Sequence, residues 1–374
     1  MLGIGIIGCG NISTAYLRLA PLFKGLEVRA VADLNLNTAQ AQASAFDVRA
    51  HSVQDLLAAD DIDIVVNLTI PDAHFDVTRA ILQAGKHAYS EKPIVLTQEQ
   101  GEALRTLAAE KGLRVGSAPD TFLGGAHQAA RAAIDAGQIG DVVAGTAHVM
   151  NHGMEHWHPN PDFFFLPGAG PMLDIGPYYV TNLIQLLGPV ARVAALTSTP
   201  ATTREILSEP RRREMIPVKT PTNIHALLDF ANGATITLST SWDVWAHRHG
   251  HMELYGSKGT MFLPDPNWFS GEVEVVDATG SSTMLDTASH PFGVPNQNNN
   301  GTAKANYRTA GLADMAAAMQ EGRPHRCALE LALHAVDVMT AVLEAGDKGE
   351  VIELTSTCQR PAPLNAGAAQ ALLL

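Results

Sequence analysis

The sequence predicts an α/β domain built on a parallel, doubly wound sheet, followed by an α+β domain with a large, mostly antiparallel open sheet. Strand-like runs alternate with helical patterns over the first 120 residues, which is typical of parallel sheets with right-handed crossovers. After Gly140 the strand-like runs are longer and alternate with polar residues, as in antiparallel sheets. The length of 374 residues exceeds one ordinary domain, so we assign domains to residues 1–120 and 121–374.

The elements of the first domain follow from local patterns. The run Ile62–Leu68 is nearly all apolar, which favours a strand buried on both faces. Thr97 and Gln100 form a capping box for a helix that ends at Gly112. The other predicted strands are Ile4–Ile7, Val28–Ala32, His87–Ser90 and Leu113–Ser117, and the other predicted helices are Ile12–Ala20 and Ala73–Ala84.

The second domain is predicted to be richer in strands. Its predicted strands are Val142–Met150, Ile224–Phe230, Thr235–Thr240, Met252–Tyr255 and Val273–Val276, and its predicted helices are Tyr178–Leu187, Ala310–Met319 and Cys327–Ala345. The stretch Gly280–Gly301 is interpreted as a long polar loop. His247, His249 and His251 alternate, which predicts a further strand with all three on one face. We expect that face to meet another subunit.

Composition excludes several classes of protein. The net charge is −13, and the only basic run is the short Arg211–Arg213, so a nucleic-acid-binding face is not expected. No apolar run approaches the roughly 20 residues that span a bilayer, and the N-terminus is typical of a first strand, so we expect no membrane association. Cys9, Cys327 and Cys358 form no ligand-spaced pair, which favours a reducing cytoplasm.

A glycine-rich turn lies where the first strand meets the first helix. In Gly8-Cys9-Gly10-Asn11-Ile12-Ser13 the first glycine permits a tight turn, and the second lets the backbone approach a pyrophosphate at the helix N-terminus. Ser13 stands where the usual dinucleotide fingerprint has a third glycine. The turn predicts a Rossmann domain.

Asp33 ends the second strand, 23 residues beyond Gly10. A carboxylate at this place accepts hydrogen bonds from the adenosine ribose hydroxyls and repels a 2′-phosphate. No Arg or Lys occurs from Leu34 to Val48. The sequence therefore favours NAD over NADP as the cofactor.

Several motifs together resemble the Gfo/Idh/MocA family of oxidoreductases (glucose–fructose oxidoreductase, inositol dehydrogenase and relatives), over most of the chain. They are the opening turn, Asn67–Pro71 with His74, Ser90-Glu91-Lys92-Pro93, Gly137–Gly140, Gly168–Gly176 and Tyr255–Gly259. The resemblance implies a cis Pro93 and a homodimer or homotetramer formed through the C-terminal sheet. The cofactor-binding residues that follow from the turn and the resemblance are Gly8, Gly10, Asn11, Ile12, Asp33, Thr69, Pro71, His74, Glu91 and Lys92.

Lys92 has the chemistry that hydride transfer requires. Moving a hydride from a carbinol carbon to nicotinamide requires removal of the hydroxyl proton, and an ammonium group beside that oxygen stabilises the developing alkoxide. Lys92 directly follows a strand, and ligands of open α/β sheets bind at the carboxyl ends of strands. The alternative is a solvated surface lysine.

Asp174 and Tyr178 are the other predicted catalytic residues. Asp174 precedes a helix, and Tyr178 follows four residues later, one helical turn along. In the family pattern these are the Asp and the His of an Asp-x-Gly-x-His motif, and the resemblance implies that some sugar-oxidising members also carry tyrosine here. Either Lys92 or Tyr178 carries the proton. The alternatives are a helix cap for Asp174 and core packing for Tyr178.

Three further residues are predicted to contact substrate: His152, Trp157 and Asn182. The histidines near Trp157 favour a loop that lines a polyol-binding cleft over a metal site, because hydride transfer needs no metal and no cysteine or acid cluster accompanies them. No metal is expected.

The sequence thus predicts an NAD(P)-dependent dehydrogenase that transfers a hydride between a secondary alcohol of a sugar, cyclitol or related polyol and the cofactor. One alternative is an NAD-dependent glycoside hydrolase that uses transient oxidation. Another is a non-catalytic NAD-sensing regulator, which we would expect to have lost Lys92 or the Asp174–Tyr178 pair. The fold cannot choose the substrate.

Overall fold

The computed structural model describes residues 1–299 and 301–374. The chain divides into two compact units that are discontinuous in sequence. The first unit comprises residues 1–125, 288–336 and 361–374, and the second comprises residues 126–287 and 337–360. The predicted boundary between residues 120 and 121 lies close to the end of the first segment. Nothing in the sequence patterns indicated that residues 288–336 and 361–374 belong with it.

The described residues form helices and strands of both units. The helices are α1 Asn11–Leu19, α2 Leu36–Phe46, α3 Val53–Ala58, α4 Pro71–Gln83, α5 Gln98–Lys111, α6 Gly125–Asp135, α7 Gly170–Asp174, α8 Gly176–Leu187, α9 Ala310–Glu321, α10 Leu329–Lys348 and α11 Ala366–Leu372. The strands are β1 Leu2–Ile7, β2 Leu26–Ala32, β3 Arg49–His51, β4 Ile64–Asn67, β5 His87–Ser90, β6 Val115–Ser117, β7 Val142–Met150, β8 Val190–Ser198, β9 Thr203–Glu205, β10 Met215–Pro217, β11 Asn223–Phe230, β12 Thr235–Ser241, β13 Met252–Gly256, β14 Gly259–Leu263, β15 Glu274–Asp277, β16 Ser282–Met284, β17 Gln297–Asn299, β18 Thr302–Lys304 and β19 Ile352–Glu353. In this part of the chain, no helix has the length and apolar character needed to cross a membrane.

The first unit contains the predicted parallel sheet. Its six strands follow the order β3-β2-β1-β4-β5-β6 and pair in parallel throughout. Ile4, Val31 and Val65 are fully buried, as expected for strands covered on both faces. The order reverses between β1 and β4, and such a switch point is where open α/β sheets bind ligands. Gly8 follows β1 at this point.

The second unit contains the predicted open sheet. Its nine strands follow the order β16-β15-β14-β13-β7-β12-β11-β8-β19, and all neighbours are antiparallel except the parallel pair β7 and β12. Helix α8 is buried along its whole length, and a side chain at Gly346 of α10 would collide with Thr197 of β8. These two helices therefore cover one face of the sheet.

The other face of this sheet carries exposed apolar side chains. Leu227 of β11 pairs with Ala194 of β8, and His225 pairs with Leu196. Because alternate residues of a strand share a face, Leu196 and Leu227 lie on the same side. They are 75% and 49% exposed.

Two predictions about the second half of the chain were wrong. His247, His249 and His251 all lie in a segment without strand structure, and β13 begins only at Met252. The alternation of histidines there does not reflect a buried face, since all three histidines are exposed. The stretch Gly280–Gly301 is not a uniform loop, because it contains β16 and β17; its residue 300 lies outside the described residues.

Candidate active site

The glycine-rich turn between β1 and α1 has the geometry of a dinucleotide-binding turn. Gly8 adopts φ +100°, and a Cβ at this position would lie 2.6 Å from the backbone carbonyl of Leu68. At Gly10 a Cβ would meet nothing within 4 Å, so the space above this residue is open. Gly10 offers the first turn of α1 no side-chain hydrogen bond. The turn, with Asn11 and Ile12 as the first helical residues, therefore fits a pyrophosphate.

Ser13 takes the place of the third glycine of the fingerprint without disrupting the turn. Its side chain is fully buried. Its hydroxyl donates to the Gly10 carbonyl at 2.6 Å and accepts from the Gln42 amide at 3.1 Å. A small polar residue therefore stabilises the turn where glycine would only fit it.

Asp33 lies beside this turn. Its Oδ2 accepts from the Cys9 amide at 2.8 Å and its Oδ1 accepts from the Asn35 amide at 2.9 Å. Each oxygen keeps a lone pair for a further donor, and the side chain is half-buried. Burial, followed by the charge of Asp33, raises the pKa of the Cys9 thiol to about 11. The carboxylate therefore fits the ribose hydroxyls of a dinucleotide, while Cys9 stays protonated.

A buried network joins the end of β4 to the turn that carries Lys92. The Asn67 amide donates to the His74 carbonyl and to the Thr78 hydroxyl, at 3.0 and 3.1 Å, and its Oδ1 accepts from Thr69. His74 lies 2.6 Å from the Pro93 carbonyl through Nδ1 and 2.9 Å from the Thr69 carbonyl through Nε2. Burial lowers the pKa of His74. The ring thus links the Thr69 turn to the Lys92–Pro93 turn. Pro71 begins α4 directly after the Thr69 turn.

Glu91 and Lys92 follow the carboxyl end of β5. The Glu91 amide donates to the Asn67 carbonyl at 2.9 Å, and the Lys92 amide donates to Glu91 Oε2 at 3.2 Å. Both side chains are half-buried. The Lys92–Pro93 peptide is cis, as the resemblance implied.

Asp174 and Tyr178 lie in the second unit, on two consecutive helices. Asp174 is the last residue of α7, and Tyr178 is the third residue of α8. Ile175 lies between the two helices. As the N-cap residue of α8 it makes no side-chain hydrogen bond to the first turn. Asp174 therefore precedes α8, as the sequence predicted, and Tyr178 lies in its first turn. Tyr178 is 9% exposed and Asp174 is half-buried.

Of the three residues predicted to contact substrate, two are accessible. The His152 ring stacks on Trp245 with ring centroids 3.4 Å apart, and burial, followed by the charge of Arg204, lowers the pKa of His152. Trp157 is 54% exposed and meets the edge of the His158 ring.

Asn182 is fully buried, and its amide is engaged inside the unit. It donates to His127 Nδ1 at 3.2 Å and accepts from Gln185 at 3.0 Å. Burial lowers the pKa of His127 to about 4, so the ring is neutral, and its Nε2–H donates to the Trp268 carbonyl at 2.8 Å. This network leaves Asn182 no access to a ligand. The substrate role that the sequence suggested for it is corrected to a structural one.

The histidines before β13 contact other histidines and a tyrosine. His249 stacks on His148 at 4.1 Å between centroids, and His251 Nδ1 lies 3.0 Å from the Tyr179 hydroxyl. Across residues 1–299 and 301–374, no three His, Cys, Asp or Glu side chains are grouped so that they could hold a metal ion.

Two family models match the chain. Residues 2–118 match an oxidoreductase family with an NAD-binding Rossmann fold, and residues 127–262 match the GFO/IDH/MocA C-terminal domain. Together they cover more than half of the chain. The chain belongs to the GFO/IDH/MocA family. Membership accounts for the dinucleotide turn, for Asp33 and for the Glu91-Lys92-Pro93 turn in one chain.

Curated relatives of this GFO/IDH/MocA chain include sugar-modifying enzymes. A dTDP-3,4-didehydro-2,6-dideoxy-alpha-D-glucose 3-reductase of Streptomyces violaceoruber is 34% identical over 51% of this chain and 56% of its own length. An inositol 2-dehydrogenase of Salmonella typhimurium is 34% identical over 29% of this chain and 32% of its own. An uncharacterised oxidoreductase of Schizosaccharomyces pombe is 28% identical over 51% and 53%. The chain spans about half the length, or less, of the curated relatives it matches.

Solved structures with the same fold cover nearly the whole chain. An NAD-binding oxidoreductase from Klebsiella pneumoniae has a TM-score of 0.81 at 21% identity, over 95% of this chain and 99% of its own. A levoglucosan dehydrogenase in complex with NADH and levoglucosan has a TM-score of 0.80 at 21% identity, over 95% and 100%. At this identity the likeness shows the fold.

The sequence missed two residues of the site. Asn67 and Tyr16 make buried hydrogen bonds to the turns that carry Thr69, Glu91 and His74. Asn67 belongs to the motif Asn67–Pro71 but was given no role of its own. A polar residue at the end of an apolar strand is the signal that could have identified it. Tyr16 reads as an ordinary core position of α1, and its partner Glu91 is 75 residues away.

Proposed function

We propose that this protein is an NAD-dependent dehydrogenase that oxidises a secondary alcohol of a sugar, cyclitol or related polyol, or reduces the matching ketone. The observation that carries the proposal is the arrangement in the first unit. Lys92 follows β5 in a turn that His74 and Asn67 tie to the end of β4. β4 is the strand next to the β1–α1 dinucleotide turn.

The donor set of the turn supports NAD. Gly8 and Gly10 shape the turn, α1 begins without a side-chain cap, and Asp33 presents a carboxylate. A negative charge beside the ribose favours two free hydroxyls over a 2′-phosphate. We therefore propose NAD as the cofactor and NADP as the poorer one.

Lys92, Asp174 and Tyr178 divide the remaining chemistry. A bound nicotinamide supplies the acceptor for the hydride of the carbinol carbon. Lys92 holds its ammonium group at the substrate oxygen and stabilises the developing alkoxide. In that case Tyr178, as a phenolate, takes the hydroxyl proton. Alternatively Lys92, as a neutral amine, takes the proton itself, and Asp174 and Tyr178 orient the substrate.

The substrate class is proposed from the accessible aromatic surface and the relatives. His152 stacked on Trp245 and the exposed Trp157 present flat faces and polar edges, which suit the C–H faces and hydroxyls of a sugar ring. Relatives that carry the names levoglucosan dehydrogenase and inositol 2-dehydrogenase support a polyol.

The test is a panel of sugars, inositols and keto-sugars, each incubated with NAD or NADP and followed at the NADH absorbance band. We expect NADH to accumulate in an amount equal to that of the oxidised product, and turnover to be faster with NAD than with NADP. Release of free sugar from glycosides without net NADH would instead identify a glycoside hydrolase. Tight binding of NAD without turnover of any member would identify a sensor.

We also propose a homodimer or homotetramer joined through the open face of the nine-stranded sheet. Leu196 and Leu227 are exposed on that face, and removing such apolar area from water favours association. We propose a reducing cytoplasm as the location, because Cys9, Cys327 and Cys358 are scattered in the sequence and form no ligand-spaced pair.

A further inference from the structure

A buried tyrosine on the dinucleotide-binding helix contacts the residue next to Lys92. Tyr16 lies on α1 and is 2% exposed. Its hydroxyl donates to Glu91 Oε1 at 3.0 Å, and Glu91 Oε2 accepts from the Lys92 amide at 3.2 Å. Both oxygens of Glu91 are therefore held, one from α1 and one from the Lys92 backbone.

The Tyr16 phenol stays protonated in this place. Burial, followed by the charge of Glu91, raises the pKa of its phenol well above the ordinary range. A phenol that stays protonated cannot carry a proton between groups at neutral pH, but it can hold a carboxylate in place. A hydrogen bond to a charged acceptor is stronger than one between neutral groups.

The charged and titratable groups that interact with Glu91 lie on several elements of the first unit. Tyr16 approaches from α1, and His74, which interacts electrostatically with both Glu91 and Lys92, approaches from α4. Asp120 follows β6 and Arg308 precedes α9, and both interact electrostatically with Tyr16. The Glu91 carboxylate thus interacts electrostatically with the His74 ring, with the Tyr16 hydroxyl, with Asp120 and with Tyr89 of β5.

We propose that Tyr16 is a positioning residue for Glu91 and, through the charge of Glu91, for Lys92. The proposal rests on the function proposed above for its effect on turnover. The donated proton draws negative charge onto Glu91 Oε1, on the side of α1. Without it, the carboxylate acts with its full charge on the Lys92 ammonium and stabilises that form.

The test compares Tyr16→Phe with Tyr89→Phe, because both remove one hydroxyl from a fully buried tyrosine of the first unit. The Tyr89 hydroxyl has no oxygen or nitrogen partner and lies near the Cys327 sulfur. The probe is reductive methylation with formaldehyde and a borane, quantified on the Lys92 peptide by mass spectrometry between pH 6 and pH 11. This measurement needs neither substrate nor cofactor.

We expect the pH midpoint for Lys92 methylation to rise in Tyr16→Phe, and labelling at pH 8 to be slower than in wild type by about threefold or more. In Tyr89→Phe the midpoint should stay at the wild-type value. With a substrate from the panel, kcat of Tyr16→Phe should fall by about tenfold, the size expected for losing a hydrogen bond to a charged group. KM for NAD should change by less than about twofold, and the acid limb of the pH profile should move to higher pH.

Glu91→Gln tests the effect of the Glu91 charge on Lys92 directly. Because the variant lacks the carboxylate charge, the pH midpoint for Lys92 methylation should fall, opposite to the change expected in Tyr16→Phe. The double variant should resemble Glu91→Gln alone, because Tyr16 acts through Glu91. Equal midpoints in wild type and Tyr16→Phe would overturn the proposal. If Tyr16→Phe does not fold, an unchanged midpoint in Glu91→Gln overturns it. Failure of wild type to oxidise any panel member would sink the dehydrogenase proposal while leaving the labelling result decisive for Tyr16.

Discussion

Asp120 illustrates how a residue without an obvious sequence role acquires one from its surroundings. Its Oδ2 accepts from the amides of Thr309 and Gly311 at 3.0 Å each, so the carboxylate holds the start of α9. The side chain is 2% exposed. Burial raises the pKa of Asp120 from 3.8 to about 6, against the lowering effects of the Gly311 amide and Arg308.

The raised pKa makes a prediction about stability. Between pH 4 and pH 6 the folded protein binds a proton at Asp120 that the unfolded chain has lost, so stability falls as pH rises through this window. The loss is about 3 kcal/mol at about 1.4 kcal/mol per pH unit. Asp120→Asn keeps the acceptor but not the charge. Its free energy of unfolding, relative to that of wild type, should therefore be larger at pH 8 than at pH 4 by about 2.5 kcal/mol, which means a more stable variant at the higher pH. Urea titrations at the two pH values measure this, and an equal difference at both would contradict it.

Single residues can be singled out from sequence where their structural setting is local, and not where it depends on distant parts of the chain. Gly8, Gly10 and Asp33 are recognisable because the turn and the strand end are adjacent in sequence or separated by one element. Tyr16 and Asn182 are not, since hydrogen bonds over 75 and 55 residues decide their roles. A helix position looks the same in sequence whether its side chain supports a site or fills a core.

At the scale of an element, the turn between β1 and α1 contains one glycine that the fold requires, Gly8, and one that we expect cofactor binding to require, Gly10. A Cβ at Gly8 would strike the Leu68 backbone, and φ +100° disfavours any side chain there. A Cβ at Gly10 meets open space, which is the space a pyrophosphate would occupy.

Alanine at the two glycines should therefore have different effects. Gly10→Ala should leave the melting temperature within about 2 °C of wild type, as expected for a substitution without a clash, yet weaken NAD binding by about tenfold or more. Gly8→Ala should lower the melting temperature clearly. Differential scanning calorimetry and a calorimetric NAD titration measure both. Unchanged NAD affinity in Gly10→Ala would place the cofactor elsewhere.

Local signals also explain which elements the sequence identified. The cap of α5 was predicted correctly, since Thr97 accepts from the Gln100 amide, and β7 has the predicted bounds Val142–Met150. β8 was missed because its alanine-rich run lacks a clear alternation. The three histidines before β13 show the opposite error, an alternation without a strand.

For the whole molecule, the alternation of strands and helices predicted the fold class. The same patterns did not predict that each unit is built from separate segments of the chain. Hydrophobic periodicity reports which face of an element is buried, but not against which part of the chain. Residues 288–336 and 361–374 belong to the first unit through contacts that no local pattern encodes.

The open sheet gives a prediction at this scale. Leu196→Glu with Leu227→Glu adds two charges to the face proposed to join subunits, where they would be buried without partners. We expect light scattering after gel filtration to report a smaller assembly than wild type. Val294→Glu, a similarly exposed position in the first unit, is the control and should leave the mass unchanged. A variant that keeps the wild-type mass would exclude this face as the interface.

The most direct measurement is the turnover of Lys92→Met with the substrate that the panel identifies, beside a calorimetric titration of NAD. Methionine keeps the length of the side chain and removes the amine. We predict that kcat falls by about 10²- to 10⁴-fold while NAD affinity stays within about twofold. Lys111→Met, at the exposed end of α5, should match wild type in both. A Lys92→Met enzyme with kcat within about threefold of wild type would contradict the assignment of Lys92 as the residue that meets the reacting oxygen.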